Sequence, residues 1–317
     1  MADITAAMVK DLREKTGVGM MDCKAALAAT NGDMDAAVDW LRAKGLAKAA
    51  KKSTRVAAEG LVGLAVDGNA GALVEVNSET DFVARNDKFQ AMVADIAKLA
   101  IKADGSSEKL KTAHYPGSKH AVAEYVAEMV ASIGENMGVR RTAALSVKDG
   151  VIGSYMHNAI APGLGKIGVI VALESTGKKE ELAQFGKMLA MHIAATNPVA
   201  LDLAGVPKET LDREKAILAE KNAGKPEKVL EKIMDSGLKS YAKENTLLEQ
   251  AYVHDGAKSV SQVLAEVGNK AGAPVKLTGY VRMQLGEGIE KKEDDFAAEV
   301  AKAAGTPAPS EGDAPRT

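Results

Sequence analysis

The middle of this chain is written twice, and a duplication of this length leaves few folds open. Gly60-Leu61-Val62-Gly63 returns as Gly150-Val151-Ile152-Gly153, and the apolar run Leu73-Val74-Glu75-Val76 is echoed by Val169-Ile170-Val171-Ala172. These short apolar runs have strand length, so each copy opens with two strands. A helical pattern follows at one spacing in both: Phe89, Met92, Val93 and Ile96, then Phe185, Met188, Leu189 and His192. A further helix and strand close each unit, at 121–135 and 139–147 in the first and at 260–267 and 275–285 in the second. The repeat predicts two ββααβ subdomains, over 56–149 and 150–286, each a small antiparallel sheet covered on one face by helices. The predicted fold class is α+β.

Upstream, residues 1–45 read as three short helices. Ile4, Met8 and Leu12 share a face of the first, the Thr16-Gly17-Val18-Gly19 break precedes the second, and Asn31-Gly32-Asp33 ends the second and caps the third. Met34, Ala37, Val38 and Leu41 keep helical spacing in the third. So small a core is weak alone, which predicts an appended module. Residues 44–55 carry Lys44, Lys48, Lys51, Lys52 and Arg55 in an Ala-rich background suited to a solvated helix or linker. The second unit holds an insertion at 200–250 that the first lacks. Pro207, Gly224 and Pro226 punctuate it as a helical hairpin, with Leu211, Ile217 and Leu218 expected to face Val229, Leu230, Ile233 and Met234. Such a hairpin serves either oligomerisation or cover for a sheet. Asp294-Asp295-Phe296-Ala297-Ala298-Glu299-Val300 reads as a short amphipathic helix in a module at 287–304, and 305–317, with three Pro, as a disordered tail.

Of 317 residues, 41 are basic and 43 acidic, so no global field draws the chain to nucleic acid or an anionic membrane, and any partner is recognised locally. A single Cys, Cys23, excludes an intrachain disulfide framework, and five His without paired ligand spacing argue against structural zinc. No run reaches the roughly 18 apolar residues of a membrane span, and residues 1–10, which include Asp3, do not read as a signal peptide. A reducing, cytoplasmic setting is expected. Gly163-Leu164-Gly165-Lys166-Ile167-Gly168 matches the letters of a dinucleotide fingerprint, but a strand follows it where a helix N-terminus is required. It reads as a flexible hairpin loop, and no cofactor is expected. His157 at a strand end and His192 on a helix lack a nucleophile and an orienting acid at usable spacing. Cys23 shares a helix face with Met20 and Leu27 and reads as a small buried group.

Thr80-Asp81-Phe82-Val83 stands apart from these bland readings. Phe is scarce, four in 317, and this one follows an apolar strand at 72–76 into polar company, between Asn77-Ser78-Glu79 and Arg85-Asn86-Asp87. An aromatic so placed suits insertion into a partner's pocket, since aromatic anchors dominate interface energetics. Asp81 brings charge beside it. The rival reading is an RNA-binding module built on 44–55, a stretch that lacks interleaved aromatics to stack bases.

Two motifs together carry a family likeness: Thr16-Gly17-Val18-Gly19-Met20-Met21-Asp22-Cys23-Lys24-Ala25-Ala26-Leu27, and Glu75-Val76-Asn77 with Thr80-Asp81-Phe82-Val83-Ala84. The chain resembles the elongation factor Ts family. The likeness continues through Ile133-Gly134-Glu135-Asn136, Gly153-Ser154-Tyr155, Gly224-Lys225-Pro226 and 281–289, and so spans nearly all of residues 1–300. The resemblance implies a UBA-like three-helix module and nucleotide exchange on the GTPase elongation factor Tu, with no covalent chemistry and no cofactor. It makes Thr80, Asp81, Phe82 and Val83 the segment that dislodges the partner's Mg²⁺. Met20, Met21, Asp22 and Lys24 are then expected on the GTPase's nucleotide-binding domain, Ile133, Gly134, Glu135 and Asn136 beside the Asp-Phe segment, and His157 toward a different domain. Read from the residues alone, Ile133 is equally a helix-core residue, Gly134 a C-cap and Met20 internal packing. Val253 and His254 are further transferred contacts, within an Ala251-Tyr252-Val253-His254 segment that departs from the family's Pro-Phe-Val run. Some family members dimerise through the hairpin, so the resemblance also allows a homodimer through 200–250. It implies no nucleic-acid and no membrane partner.

Overall fold

Local stop and start signals set the first three helices. In the computed structural model, which describes residues 4–290, α1 (Ala6–Thr16) opens where the Thr5 side chain accepts the Met8 amide and closes at left-handed Gly17. The helix expected at 294–300 and the tail at 305–317 lie outside the described residues. Asp33 caps α3 (Met34–Lys52) by accepting the Ala36 amide, and with α2 (Met20–Ala29) the three helices bury Leu12, Cys23, Ala26, Leu27, Ala37 and Leu41. The basic stretch is not a separate linker, because α3 continues through it to Lys52. Ala and Lys favour helix, and the extension has a surface to lie on. Gly45 sits within close contact of Ala131 on α7 (Val122–Ile133), and Arg42 pairs with Glu124 at 3.1 Å. The module therefore shares a wall with the body instead of being merely appended.

The remaining elements of the first copy are β1 (Glu59–Asp67), β2 (Ala70–Ser78), α4 (Asp81–Ala84), α5 (Asp87–Lys102), α6 (Ser107–Thr112) and β3 (Met137–Ser146). The second contains β4 (Gly150–His157), β5 (Leu164–Gly165), β6 (Ile167–Glu174), α8 (Lys179–Thr196), α9 (Lys208–Lys221), α10 (Glu227–Asn245), β7 (Ala251–Tyr252), β8 (Asp255–Ser259), α11 (Val260–Ala271) and β9 (Lys276–Gln284). The fold is α+β. One sheet has the order β3-β2-β1-β5, a second β4-β6-β9, and β7-β8 is a small hairpin. Residues through Glu287 form one compact unit, and Gly288 begins a second.

Side-chain alternation shows how the sheets are layered. On β2, Ala72, Val74 and Val76 join Phe89, Met92, Val93 and Ile96 of α5 in one core. On β6, Val169, Val171 and Leu173 join Phe185, Leu189 and Ile193 of α8 in another. The opposite faces meet each other: Val62, Leu73, Ile152, Ile170, Ala172 and Met283 make a third cluster between the sheets. Each sheet thus carries helices on one side and its twin on the other.

This layering corrects the alignment of the repeat. Gly60 lies opposite Asn77 and Gly150 opposite Glu174, so Leu73-Val74-Glu75-Val76 corresponds to Ile170-Val171-Ala172-Leu173, one residue later than the echo of letters. A strand buried on both faces reads alike in either register, yet a one-residue slip exchanges every face. The glycines confirm the later register. Gly60 (φ 118°) and Gly150 (φ 141°) sit so close to the second strand that a Cβ would lie 2.2 Å from the Val76 carbonyl oxygen and 2.0 Å from that of Leu173.

Two further expectations change. The Gly163-to-Gly168 loop is not a free hairpin: the Leu64 amide donates to the Gly163 carbonyl at 2.8 Å, and Leu164 and Gly165 pair with Gly63 and Val62. In α9–α10, Leu218 packs on Gly237, whereas Ile217 and Val229 are exposed. Small Gly237 lets the helices approach there. Of the residues in these two helices only Ala242 is buried.

Candidate functional site

Thr80 determines how the Asp-Phe pair is presented. It precedes α4 in extended backbone, where a threonine hydroxyl ordinarily caps the helix, but this one makes no cap bond. Its hydroxyl and its amide both donate to Glu135, at 2.7 and 3.0 Å. Glu79 accepts the Asn136 amide at 2.5 Å and lies 3.4 Å from Arg55, while the Asn136 side chain donates to the Arg55 carbonyl. Gly134 (φ 95°) ends α7 in the left-handed conformation and sends Glu135 and Asn136 back over the turn. Glu135 and Asn136 are therefore bonded to the Thr80 segment, whereas Ile133 packs against the core of the first copy and the Gly134 carbonyl accepts from Lys52.

Within α4 the four residues divide by burial. Val83 and Ala84 enter the core of the first copy, whereas Asp81 and Phe82 point out. Phe82 is 75% exposed, in contrast to the buried Phe89 and Phe185. Asp81 reaches Arg85 at 3.9 Å in an exposed i,i+4 pair. The result is a short, rooted helix that offers one aromatic ring and one carboxylate to solvent.

The N-terminal module adds apolar surface nearby. Ser132, two residues before Gly134, donates to the Gly17 carbonyl at 3.2 Å, so the turn between α1 and α2 is fixed to the end of α7. Met20 and Met21, just beyond that turn, are 58% and 79% exposed. Helical spacing places Met20 with Cys23 and Leu27, but only the latter two are buried. Met20 lies in the first turn of α2, beyond the reach of the module's core, which closes where the Cys23 thiol donates to the Val18 carbonyl at 3.5 Å. Asp22 turns inward to Lys48 (2.9 Å) and Lys44 (3.7 Å). The Lys48 hydrogen bond outweighs partial burial and holds its carboxyl below the usual range. Lys24 is exposed.

Other candidate residues belong to the second copy. His157, exposed at the end of β4, has its Nδ1 3.1 Å from the Tyr155 hydroxyl. Val253 is exposed at the turn between β7 and β8, and the His254 Nε2 lies 3.1 Å from the Met188 carbonyl. Beneath them His192 is fully buried and accepts the Val253 amide on Nδ1 at 3.2 Å. An amide can only donate, so the ring proton sits on Nε2, facing the Gln250 side-chain oxygen at 3.0 Å. Burial pushes the imidazole pKa down, partly opposed by Gln250 and reinforced by His254. Gln250 escapes notice in the sequence, because nothing local ties it to a residue 58 positions earlier.

Among the described residues no group of three or more His, Cys, Asp or Glu is placed to hold a metal, and no helix is long and apolar enough to cross a membrane. The family model described as Elongation factor TS matches residues 79–287. A protein of Methylobacterium radiotolerans named Elongation factor Ts is 64% identical over 306 residues, covering 96% of this chain and 99% of the relative. Proteins of the same name from Xanthobacter autotrophicus and Azorhizobium caulinodans are 62% and 60% identical over 305 residues, each again covering 96% of this chain and 99% of the relative.

This chain belongs to the elongation factor Ts family. Most cations of its basic stretch have partners within the chain. Lys44 and Lys48 face Asp22, Lys52 donates to the Gly134 carbonyl, and Arg55 meets Glu79. In this elongation factor Ts chain those contacts fasten α3 and the residues after it to their neighbours.

Proposed function

We propose that the chain is a guanine-nucleotide exchange factor for elongation factor Tu in translation elongation, acting without covalent chemistry. Asp81 and Phe82 are the intruding pair, and their entry displaces the GTPase's Mg²⁺. The observation that carries this reading is the 75% exposure of Phe82 on a turn held at Thr80 by two bonds to Glu135. A ring already held in place loses little conformational entropy on insertion. Burying it contributes about 2 to 3 kcal/mol. Removing a cation that screens the nucleotide's phosphates weakens nucleotide binding. Linkage makes the effect mutual, so bound nucleotide weakens the grip of this chain by the same factor.

Met20, Met21 and Lys24 extend the contact over the nucleotide-binding domain, with Ile133 and Asn136 beside the turn. Asp22 and Glu135, whose carboxylates are engaged internally, shape that surface from behind, as Gly134 does by its backbone. His157, Val253 and His254 supply contacts from the second copy. The exposed Ile217 and Val229 support α9–α10 as the surface that a homodimer of the chain would use. The cytoplasm is the expected setting.

The test is release of labelled GDP from elongation factor Tu. Wild-type chain accelerates it, and Phe82→Ala and Asp81→Ala each lose most of the acceleration while melting like wild type, since both side chains are exposed. Acceleration undiminished in both variants refutes their role.

A further inference from the structure

Glu75 has no place on the interface proposed above, yet it is a carboxylate, fully buried between the two sheets, that accepts five hydrogen bonds. One oxygen accepts from Arg140 (3.0 Å), Asn77 (3.1 Å) and the Gly286 amide (2.8 Å), and the other from Arg141 (2.5 Å) and Arg140 (3.1 Å). Arg140 and Arg141 reach onward: Arg140 to the Glu287 carbonyl at 2.7 Å, Arg141 to the Gln284 carbonyl at 2.8 Å and the Glu287 carboxylate at 3.1 Å. Glu75 thus joins the first copy's sheet to the turn that follows the last strand of the second.

The duplication supplies an internal control. In the register fixed by the glycines, the counterpart of Glu75 is Ala172, which faces the same interface and is buried without any charge. A sheet packed on its twin does not need a carboxylate there. Buried ion pairs add little net stability compared with apolar packing, and their best-attested use is to select one arrangement among several. The rest of the layer, Val62, Leu73, Ile152, Ile170, Ala172 and Met283, is aliphatic and does not by itself prefer one sliding position. Glu75 also lies three residues before Ser78, where β2 gives way to the Thr80 turn, and Asn77, which binds it, donates as well to the Glu59 carbonyl.

We propose that Glu75 is a positioning residue: it fixes the second copy against the first and stiffens the end of β2, so that Phe82 and the second copy's contacts meet one partner molecule together. The proposal rests on the exchange reading for its functional consequence, and its structural half stands alone. Burial by itself pushes the carboxyl pKa up, but the Gly286 amide, Arg141 and Asn77 outweigh it and keep the group ionised.

The test pairs Glu75→Gln with Glu75→Ala, the second copying Ala172. Amide hydrogen exchange of the full chain gives the structural readout. Faster exchange is expected at Gly286 and across 77–83 in both variants, with core protection in α5 and α8 kept. GDP release from elongation factor Tu, followed against concentration of the variant, gives the functional one. The saturating rate falls by about ten- to a hundredfold, as for other small misplacements of a working group, while the half-saturating concentration moves little. Unchanged protection at 77–83 overturns the positioning role, and so does a saturating rate within twofold of wild type once Gly286 is deprotected. Failure of wild type itself to accelerate release removes the exchange reading, and protection at 77–83 then still decides whether Glu75 holds the turn.

Discussion

At the scale of single residues, Thr80 and Phe82 separate stability from activity. Phe82 touches little of its own protein, whereas Thr80 ties the turn to Glu135. Thr80→Val removes the hydroxyl bond to a carboxylate, expected to cost about 1 kcal/mol in this partly exposed setting, and should lower both the urea midpoint and GDP release. The same urea titration on Phe82→Ala should show no shift. His192 predicts a pH effect. Its folded-state pKa is depressed, so as pH falls through the ordinary imidazole value of 6.5 the unfolded chain takes up a proton that the folded chain refuses, and stability is lost. Urea midpoints at about pH 7.5 and about pH 5.5 should differ more in wild type than in His192→Gln. Equal differences would show that the ring titrates normally. The exposed Phe was legible from its polar flanks, but its clamp was not, because Thr80 and Glu135 are 55 positions apart and each looks like ordinary surface.

Among elements, the repeated strands show what letters convey and what they omit. Helix spacing in α5 and α8 was readable because a 3.6-residue stripe has one solution, and Phe89 and Phe185 do lie in equivalent cores. The second strand was misaligned by one because Val169 to Leu173 is aliphatic throughout and carries no face label. Met20 shows the same limit: it shares a helical face with the buried Cys23 and Leu27 yet is exposed, since periodicity assigns a face but not where a core ends. Glycine carries the missing information. A Cβ on Gly153 would lie 2.4 Å from the Gly186 backbone, where β4 touches α8, and one on Gly138 would meet nothing within 4 Å. Gly153→Ala should therefore destabilise by about 1 to 3 kcal/mol or more, while Gly138→Ala stays near neutral, as read from urea denaturation. A tolerated Gly153→Ala would mean that helix and strand are farther apart than described.

For the molecule as a whole, the hairpin and the body behave as separate investments of sequence. The body needs 242–252, since Ala242, Thr246, Leu247, Gln250 and Tyr252 are buried, but little of α9 or the first turns of α10. Replacing 209–240 with a short flexible linker should leave the melting midpoint within a few degrees of wild type, and on gel filtration should abolish any self-association. A large drop in the midpoint would show that the hairpin packs on the body. The two halves are bound more intimately than their repeat suggests, by the aliphatic layer and by Glu75. A third tie concerns timing. Among the described residues the outer edge of β1 is paired with the short stretch Gly163 to Gly165, which belongs to the other copy. During synthesis the early half emerges with that edge bare, open to strangers, and it stays so until the chain has grown roughly a hundred residues past β1. A protein of the translation machinery thus passes through its own vulnerable interval on the ribosome, and ends it with a patch a few residues long.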